Sequence, residues 1–236
     1  MRRAAVALAA AAALVGPAAC GSGEGGGAPR LKVSAAASLK GAFTAYEPRN
    51  RYSFAGSDQL AAQIRSGVKP DVYAAANVEL PRDLHLHGLV ERPVVFARNR
   101  LVLVTRSPHV RSLADAARPG VKVAIGSPTV PAGKYARGVL AGRGAVGRRV
   151  LGNVRSEEPD VAGVLGKVQQ GAVDAGFVYA TDARAARLRA IALPHSEASY
   201  AVAIVRPSRA ASAFVQGLLA GRGRAALLRA GFLPPP

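Results

Sequence analysis

This sequence has little of what most enzymes and disulfide-stapled exported proteins rely on. It has one cysteine in 236 residues. No internal disulfide can form, and the core must stand without covalent staples. Histidine is scarce: His85, His87, His109 and His195 are the full set. The "HLH" pair is spaced i and i+2, which on a helix points to different sides and makes a poor metal pair. A phosphate-binding P-loop, a dinucleotide glycine fingerprint after the first strand and a G-x-S-x-G elbow are all missing. No base stands beside any serine or beside Cys20 in a pattern that would activate it. These absences argue against an enzyme. Acidic residues are also few, with Asp+Glu 14 against Lys+Arg 32 and a formal charge of +18. Aromatic residues make up only 5% of the chain, and the arginines are scattered through Ala- and Gly-rich sequence. A nucleic-acid platform of interleaved basic and aromatic residues is therefore not expected. The positive field would instead raise the encounter rate of a small anion.

What is present begins with "MRRAAVALAAAAALVGPAAC". Arg2 and Arg3 form a basic start, and Ala4 to Val15 an apolar stretch too short to span ~30 Å of hydrocarbon. The sequence thus predicts a secretory signal over 1–20 and an exported protein. "GPAAC" resembles a lipobox, with Pro17 as an unusual element, so Cys20 is the expected lipidation site. Cleavage after Ala19 without lipid is the alternative. Residues 21–29, "GSGEGGGAP", have too little apolar surface to pack and read as a flexible tether. Together these predict a globular module held by a lipid anchor on the outer face of the cell membrane.

Half of the residues are apolar and 19% are charged, which suits a folded body. From Leu31 onward short apolar runs alternate with helical patterns. "LKVSAA", "RYSFAG", "DVYAAA", "PVVFA", "RLVLVT", "VKVAIG", "DAGFVYA", "RAIALP" and "YAVAIV" read as strands. "SLKGAFTAY", "SDQLAAQIRSG", "VELPRDLHLHG", "VRSLADAARPG", "PAGKYARGVLAG", "EPDVAGVLGKVQQGAV", "TDARAARL" and the two closing segments read as helices. This alternation predicts an α/β fold with mostly parallel sheets covered on both faces. In such folds ligands bind beyond the carboxyl ends of strands, beside helix starts.

Several helices begin with a small or hydroxyl residue directly after a strand. Ser38 follows "VSAAA", Ser57 follows "SFAG", and Ala132 follows "GSPTVP". A further helix after Pro159-Asp160 offers the amide of Val161. Unpaired N–H groups at a helix start favour an anion. A serine in that place is also an ordinary N-cap, and Tyr179 at the end of "DAGFVY" also suits a core position.

In order along the chain, "VSAAASLKGAF", "SFAGSDQLAAQIRSGVKPDVYAAAN", "FARNRLVLV", "AIGSPTVPAGKYA", "GAVDAGFVYATDA" and "YAVAIV" resemble the motifs of the molybdate-binding proteins of ABC transporters. The resemblance runs from about Leu31 to Phe232. It implies a type II periplasmic-binding fold, with two α/β lobes, a ligand cleft between them and two crossover segments. The expected lobes are 30–97 with 204–236, and 98–203. It also implies a neutral site in which Ser38, Ser57 and Tyr179 give hydroxyls while Ala132 and Val161 give amides. The ligand implied is molybdate or tungstate, with no cofactor and no cation directly bound. The partners implied are permease and ATPase subunits, with the binding protein itself a monomer. Sulfate, thiosulfate or another small oxyanion is the alternative ligand. A basic surface lipoprotein with a vestigial cleft is the alternative class.

Two departures from the family pattern stand out. Asp58 follows Ser57 where a small or hydroxyl residue is usual, and it is expected to point outward as a first-turn helix charge. The stretch from Ser38 to Ser57 is shorter than usual by roughly two helical turns, which predicts thinner cover over the first strand.

Overall fold

In the first part of the chain, each apolar run predicted as a strand is one. The computed structural model describes residues 30–236. The signal over 1–20, Cys20 and the tether over 21–29 lie outside the described residues. The first half contains β1 (Lys32–Ala36), a 3-10 turn (Ala37–Leu39), α1 (Lys40–Tyr46), β2 (Arg51–Ala55), α2 (Ser57–Arg65), β3 (Val72–Ala75) and α3 (Glu79–Leu86). A long strand β4 (Val94–Thr105) leads to α4 (Leu113–Ala116), β5 (Val123–Gly126), α5 (Pro131–Ala141), α6 (Gly144–Gly152) and β6 (Val154–Glu158). Then come α7 (Val161–Gln169), β7 (Ala175–Tyr179), α8 (Ala180–Ala185) and a second long strand, β8 (Arg189–Ile204). Helices α9 (Arg209–Leu219) and α10 (Arg222–Ala230) close the chain.

The strands form one mixed sheet in the order β2-β1-β3-β8-β4-β7-β5-β6. Strands β1, β2 and β3 pair in parallel, as do β5, β6 and β7. The antiparallel β4–β8 pair runs between the two groups. This makes two α/β lobes, with β4 and β8 as the crossover segments. The sequence reads each long strand as two short ones. "PVVFA" and "RLVLVT" are one strand, and so are "RAIALP" and "YAVAIV". The polar stretch at Arg98-Asn99-Arg100 interrupts the apolar pattern but not the ladder. Register shifts between Val95 and Ala97, and between Arg100 and Val102, absorb the irregularity.

Two elements are not legible in the sequence. Strand β6, "VRSEE", lies at the sheet edge and is half-exposed, so it carries charges where a central strand would carry valines. Helix α6, "GAVGRRVLG", is glycine-rich for a packing reason. A Cβ on Gly147 would lie 1.9 Å from the carbonyl oxygen of Leu140, so α5 and α6 approach backbone to backbone.

The short first helix is closed off firmly. The hydroxyl of Tyr52 is shared between the carbonyls of Phe43 and Glu47, at 2.9 Å each, which pins the tight turn before β2. Phe43 packs edge-on against Phe214 at 5.5 Å, and Tyr46 lies 5.1 Å from the same ring. Helix α9 thus covers this short helix through Phe214.

Candidate functional site

Residues after β1, β2 and β3 in one lobe, and from the helix starts and strand end of the other lobe, line a single cavity. Its volume is about 240 Å³ including its open mouth. Ser38, Ser57, Ala132, Val161 and Tyr179 all lie in its walls, beside Ala36, Gly56, Ala76 and Val130. All five are buried, from 1% exposure for Tyr179 to 7% for Ser38.

The two serines are not helix caps. Ser38 sits inside the 3-10 turn, before α1 begins, and its side chain caps nothing. Its Oγ lies 2.9 Å from the hydroxyl of Tyr200. Ser57 is the first residue of α2, and Gly56 holds the cap position. The Ala76 amide donates to Ser57 Oγ at 3.0 Å, so the serine's own proton is left to point elsewhere.

The other lobe contributes helix starts. Val130 and Pro131 open α5, which makes Ala132 its second residue. Asp160 caps α7 by accepting from the Gly163 amide at 2.9 Å, and Val161 follows as the first helical residue. First-turn amides have no carbonyl one turn earlier to bind. No bond from the amide of Ala132 or Val161 to a described residue is formed. Tyr179 ends β7. Its hydroxyl is buried and has no hydrogen-bond partner among the described residues. Burial, above all, pushes this phenol far above the usual tyrosine range, so it keeps its proton.

The cavity therefore collects two serine hydroxyls, one phenol and two helix-start amides, all of them donors. Among the described residues no Lys or Arg lines it, and Asp160, whose Oδ1 caps α7, is the one charged wall residue. Such a set suits an oxyanion, which only accepts, and has no general base positioned against a nucleophile.

Asp58 follows its expected orientation only in part. Its Oδ1 is buried without a partner, and it lies 2.8 Å from the point where a Cβ on Gly56 would stand. The residue as a whole is half-exposed, stays in the first turn of α2 and is not among the residues that line the cavity.

A second acid lies behind the site. Asp182 Oδ2 accepts from the Tyr179 amide at 3.2 Å. Although the residue borders a surface groove, its carboxyl is deep among protein atoms. Burial raises its pKa to about 7, the bond from Tyr179 opposes this, and the charge of Asp160 adds to it. The folded state thus holds this proton more tightly than the unfolded chain does. Stability conferred at low pH should be lost as pH rises from about 4 to about 7, by at most about 4 kcal/mol. Urea unfolding at pH 5 and pH 8 should show this loss in the wild type, and a smaller one in Asp182→Asn. Equal slopes for the two proteins would refute it.

The sequence reading missed three residues here. Gly56 was legible only as one of a run of small residues. The amide of Ala76 and the side chain of Tyr200 carry no local signal, because each meets its serine through the fold.

A family model described as bacterial extracellular solute-binding protein matches residues 31–233. The molybdate-binding protein ModA of Mycobacterium bovis is 35% identical over 240 residues, covering 93% of this chain and 90% of that protein. The substrate binding domain of a putative molybdenum ABC transporter from Clostridium difficile has 28% identity and a TM-score of 0.66, covering 88% of this chain and 99% of that one. The sulfate-binding protein SubI of Mycobacterium tuberculosis has 18% identity and a TM-score of 0.78, over 87% of this chain and 86% of that one. At that identity the likeness speaks for the fold alone. With its two lobes, its crossover strands and its match along nearly the whole described length, this chain belongs to the bacterial extracellular solute-binding protein family.

Proposed function

We propose that the protein captures molybdate, or the isostructural tungstate, outside the cytoplasm and delivers it to an ABC transporter. The observation that carries this reading is the set of five donors, from Ser38, Ser57, Ala132, Val161 and Tyr179, around one cavity that has no cation in its wall among the described residues. A tetrahedral dianion accepts many hydrogen bonds, and bonds to a charged acceptor contribute roughly 1.5–3 kcal/mol each. Donors fixed by backbone and packing need little reordering on binding, so affinity does not require a counter-charge. The identity to a molybdate-binding relative supports the same ligand.

The lobes are 30–97 with 204–236, and 98–203. They hinge on β4 and β8 and close over the anion. A lipid on Cys20 and the tether over 21–29 keep this monomeric module near its permease and ATPase subunits. Sulfate, another small oxyanion that such a wall of donors suits, is the second reading.

Calorimetric titration of the purified protein with molybdate, tungstate and sulfate tests the proposal. Molybdate and tungstate should bind with Kd below roughly 10 μM, and sulfate at least about ten-fold more weakly. Binding of sulfate alone, or of none of the three, sinks it.

A further inference from the structure

We propose that Tyr200 is a positioning residue of the anion site, which it serves by donating to Ser38 and aiming that serine's proton into the cavity. The inference rests on the oxyanion reading above and assigns a part to a residue outside the cavity wall. Ser38 has one proton, and its Oγ lies 2.9 Å from the Tyr200 hydroxyl. Either oxygen of that pair can be the donor. If Ser38 donates, nothing is left for the ligand. If Tyr200 donates, the serine proton is free. An oxyanion is an acceptor only, so its arrival selects the second arrangement.

Ser57 shows the same design with a fixed partner. The Ala76 amide donates to its Oγ at 3.0 Å and can do nothing else. Both serines are thus backed by a donor, one from the main chain and one from a phenol. Burial keeps the Tyr200 phenol protonated across the physiological range.

The fold holds this phenol rigidly. Tyr200 stands on β8 opposite Ala97, beside the register shift in β4. A bulge of that kind re-aims side chains. Three rings grip the tyrosine edge-on, with Phe96 at 6.4 Å, Tyr179 at 5.5 Å and Phe232 at 5.3 Å. Tyr200 is fully buried, so its ring has no freedom to leave Ser38. Its place on a crossover strand puts it between Ser38 of one lobe and Tyr179 of the other.

The test is a double-mutant cycle with molybdate as the probe, comparing the wild type, Tyr200→Phe, Ser38→Ala and the double variant. Calorimetry reads the tighter affinities, and the molybdate-dependent shift in melting temperature extends the range to the millimolar. Phenylalanine keeps the ring packing and removes only the donor. Tyr200→Phe should weaken molybdate binding by about five- to ten-fold. In the Ser38→Ala background the same change should matter less than about two-fold, because its effect runs through Ser38. A purely structural role would give the same loss in both backgrounds and would overturn the proposal. So would a Tyr200→Phe protein that binds as well as the wild type. A wild type that takes no oxyanion overturns the functional reading itself, which separates the two failures.

Discussion

Replacing Gly56 by alanine is expected to weaken oxyanion binding by at least about 100-fold while leaving the ligand-free protein as stable as before. The backbone at Gly56 has φ −59° and ψ 137°, which any residue adopts. The glycine is therefore not there for its own conformation. A Cβ at this position would stand 2.4 Å from the Pro159 carbonyl oxygen and 3.3 Å from a Val130 methyl. Both neighbours lie across the cleft, at the segments that lead into α7 and α5. If the lobes close over the anion as in the proposed function, the contact arises only when they meet. Restoring ordinary van der Waals separation would part them by about 1 Å. The amides of Ala132 and Val161 sit on those same helix starts and would withdraw together. Two bonds to an ionic acceptor, at about 1.5–3 kcal/mol each, account for a loss of that size. An open, ligand-free form would escape both of these contacts and keep only the one with Asp58 Oδ1 at 2.8 Å, a side-chain end on the same lobe that can swing aside. That form should even gain about 0.4–1 kcal/mol, because alanine restricts the unfolded chain. The check is a molybdate titration paired with a thermal melt of the free protein. Near-wild-type affinity would contradict the closure argument. Loss of affinity together with loss of stability would point to misfolding instead.

Ser57→Ala should produce a different signature, because its hydroxyl has two duties. It accepts from the buried Ala76 amide and, in the proposed function, donates to the anion. Removing it leaves that amide unpaired away from water, at about 1–3 kcal/mol of folding stability. It also removes one bond to the ligand, so affinity should fall by about 10–100-fold. Denaturant unfolding of the free protein and a molybdate titration measure the two losses separately. A stability loss with unchanged affinity would leave Ser57 a structural residue and remove it from the site. Gly56→Ala and Ser57→Ala thus disable neighbouring positions in opposite ways, one with stability kept and one with stability lost.

Much of the lobe architecture was open to inspection in the sequence. Parallel strands buried on both faces must be apolar throughout, so "VSAAA", "VYAAA" and "VAIG" declare themselves. The long crossovers did not. Arg98, Asn99 and Arg100 break the apolar pattern of β4, while β8 pairs across the break with shifted register. Hydrogen-bonded ladders survive such interruptions when the partner strand supplies the geometry, which local sequence does not encode. Edge strand β6 escaped for the converse reason, since half-exposed strands tolerate charge.

The site divides along the same line. Ser38, Ser57, Ala132 and Val161 stand out in the sequence because helix starts directly after strands are a local pattern, while Tyr179 and the grouping of the five come from the resemblance to a known family. The sequence alone also established the alternating α/β order and showed no pattern that would activate a nucleophile, while the donor-rich site was an expectation from the resemblance. The tertiary structure decided what surrounds the hydroxyls. It showed that neither serine caps a helix, that one oxygen of Asp58 is buried without a partner, and that Ala76 and Tyr200 stand behind the two serines. It also showed Gly56 meeting Pro159 across the cleft. The partners of the two serines and the Gly56–Pro159 approach depend on residues far apart in the chain, 162 positions for Ser38 and Tyr200. A proton's direction is set by the partner that long-range packing brings to it, and no local pattern records that partner.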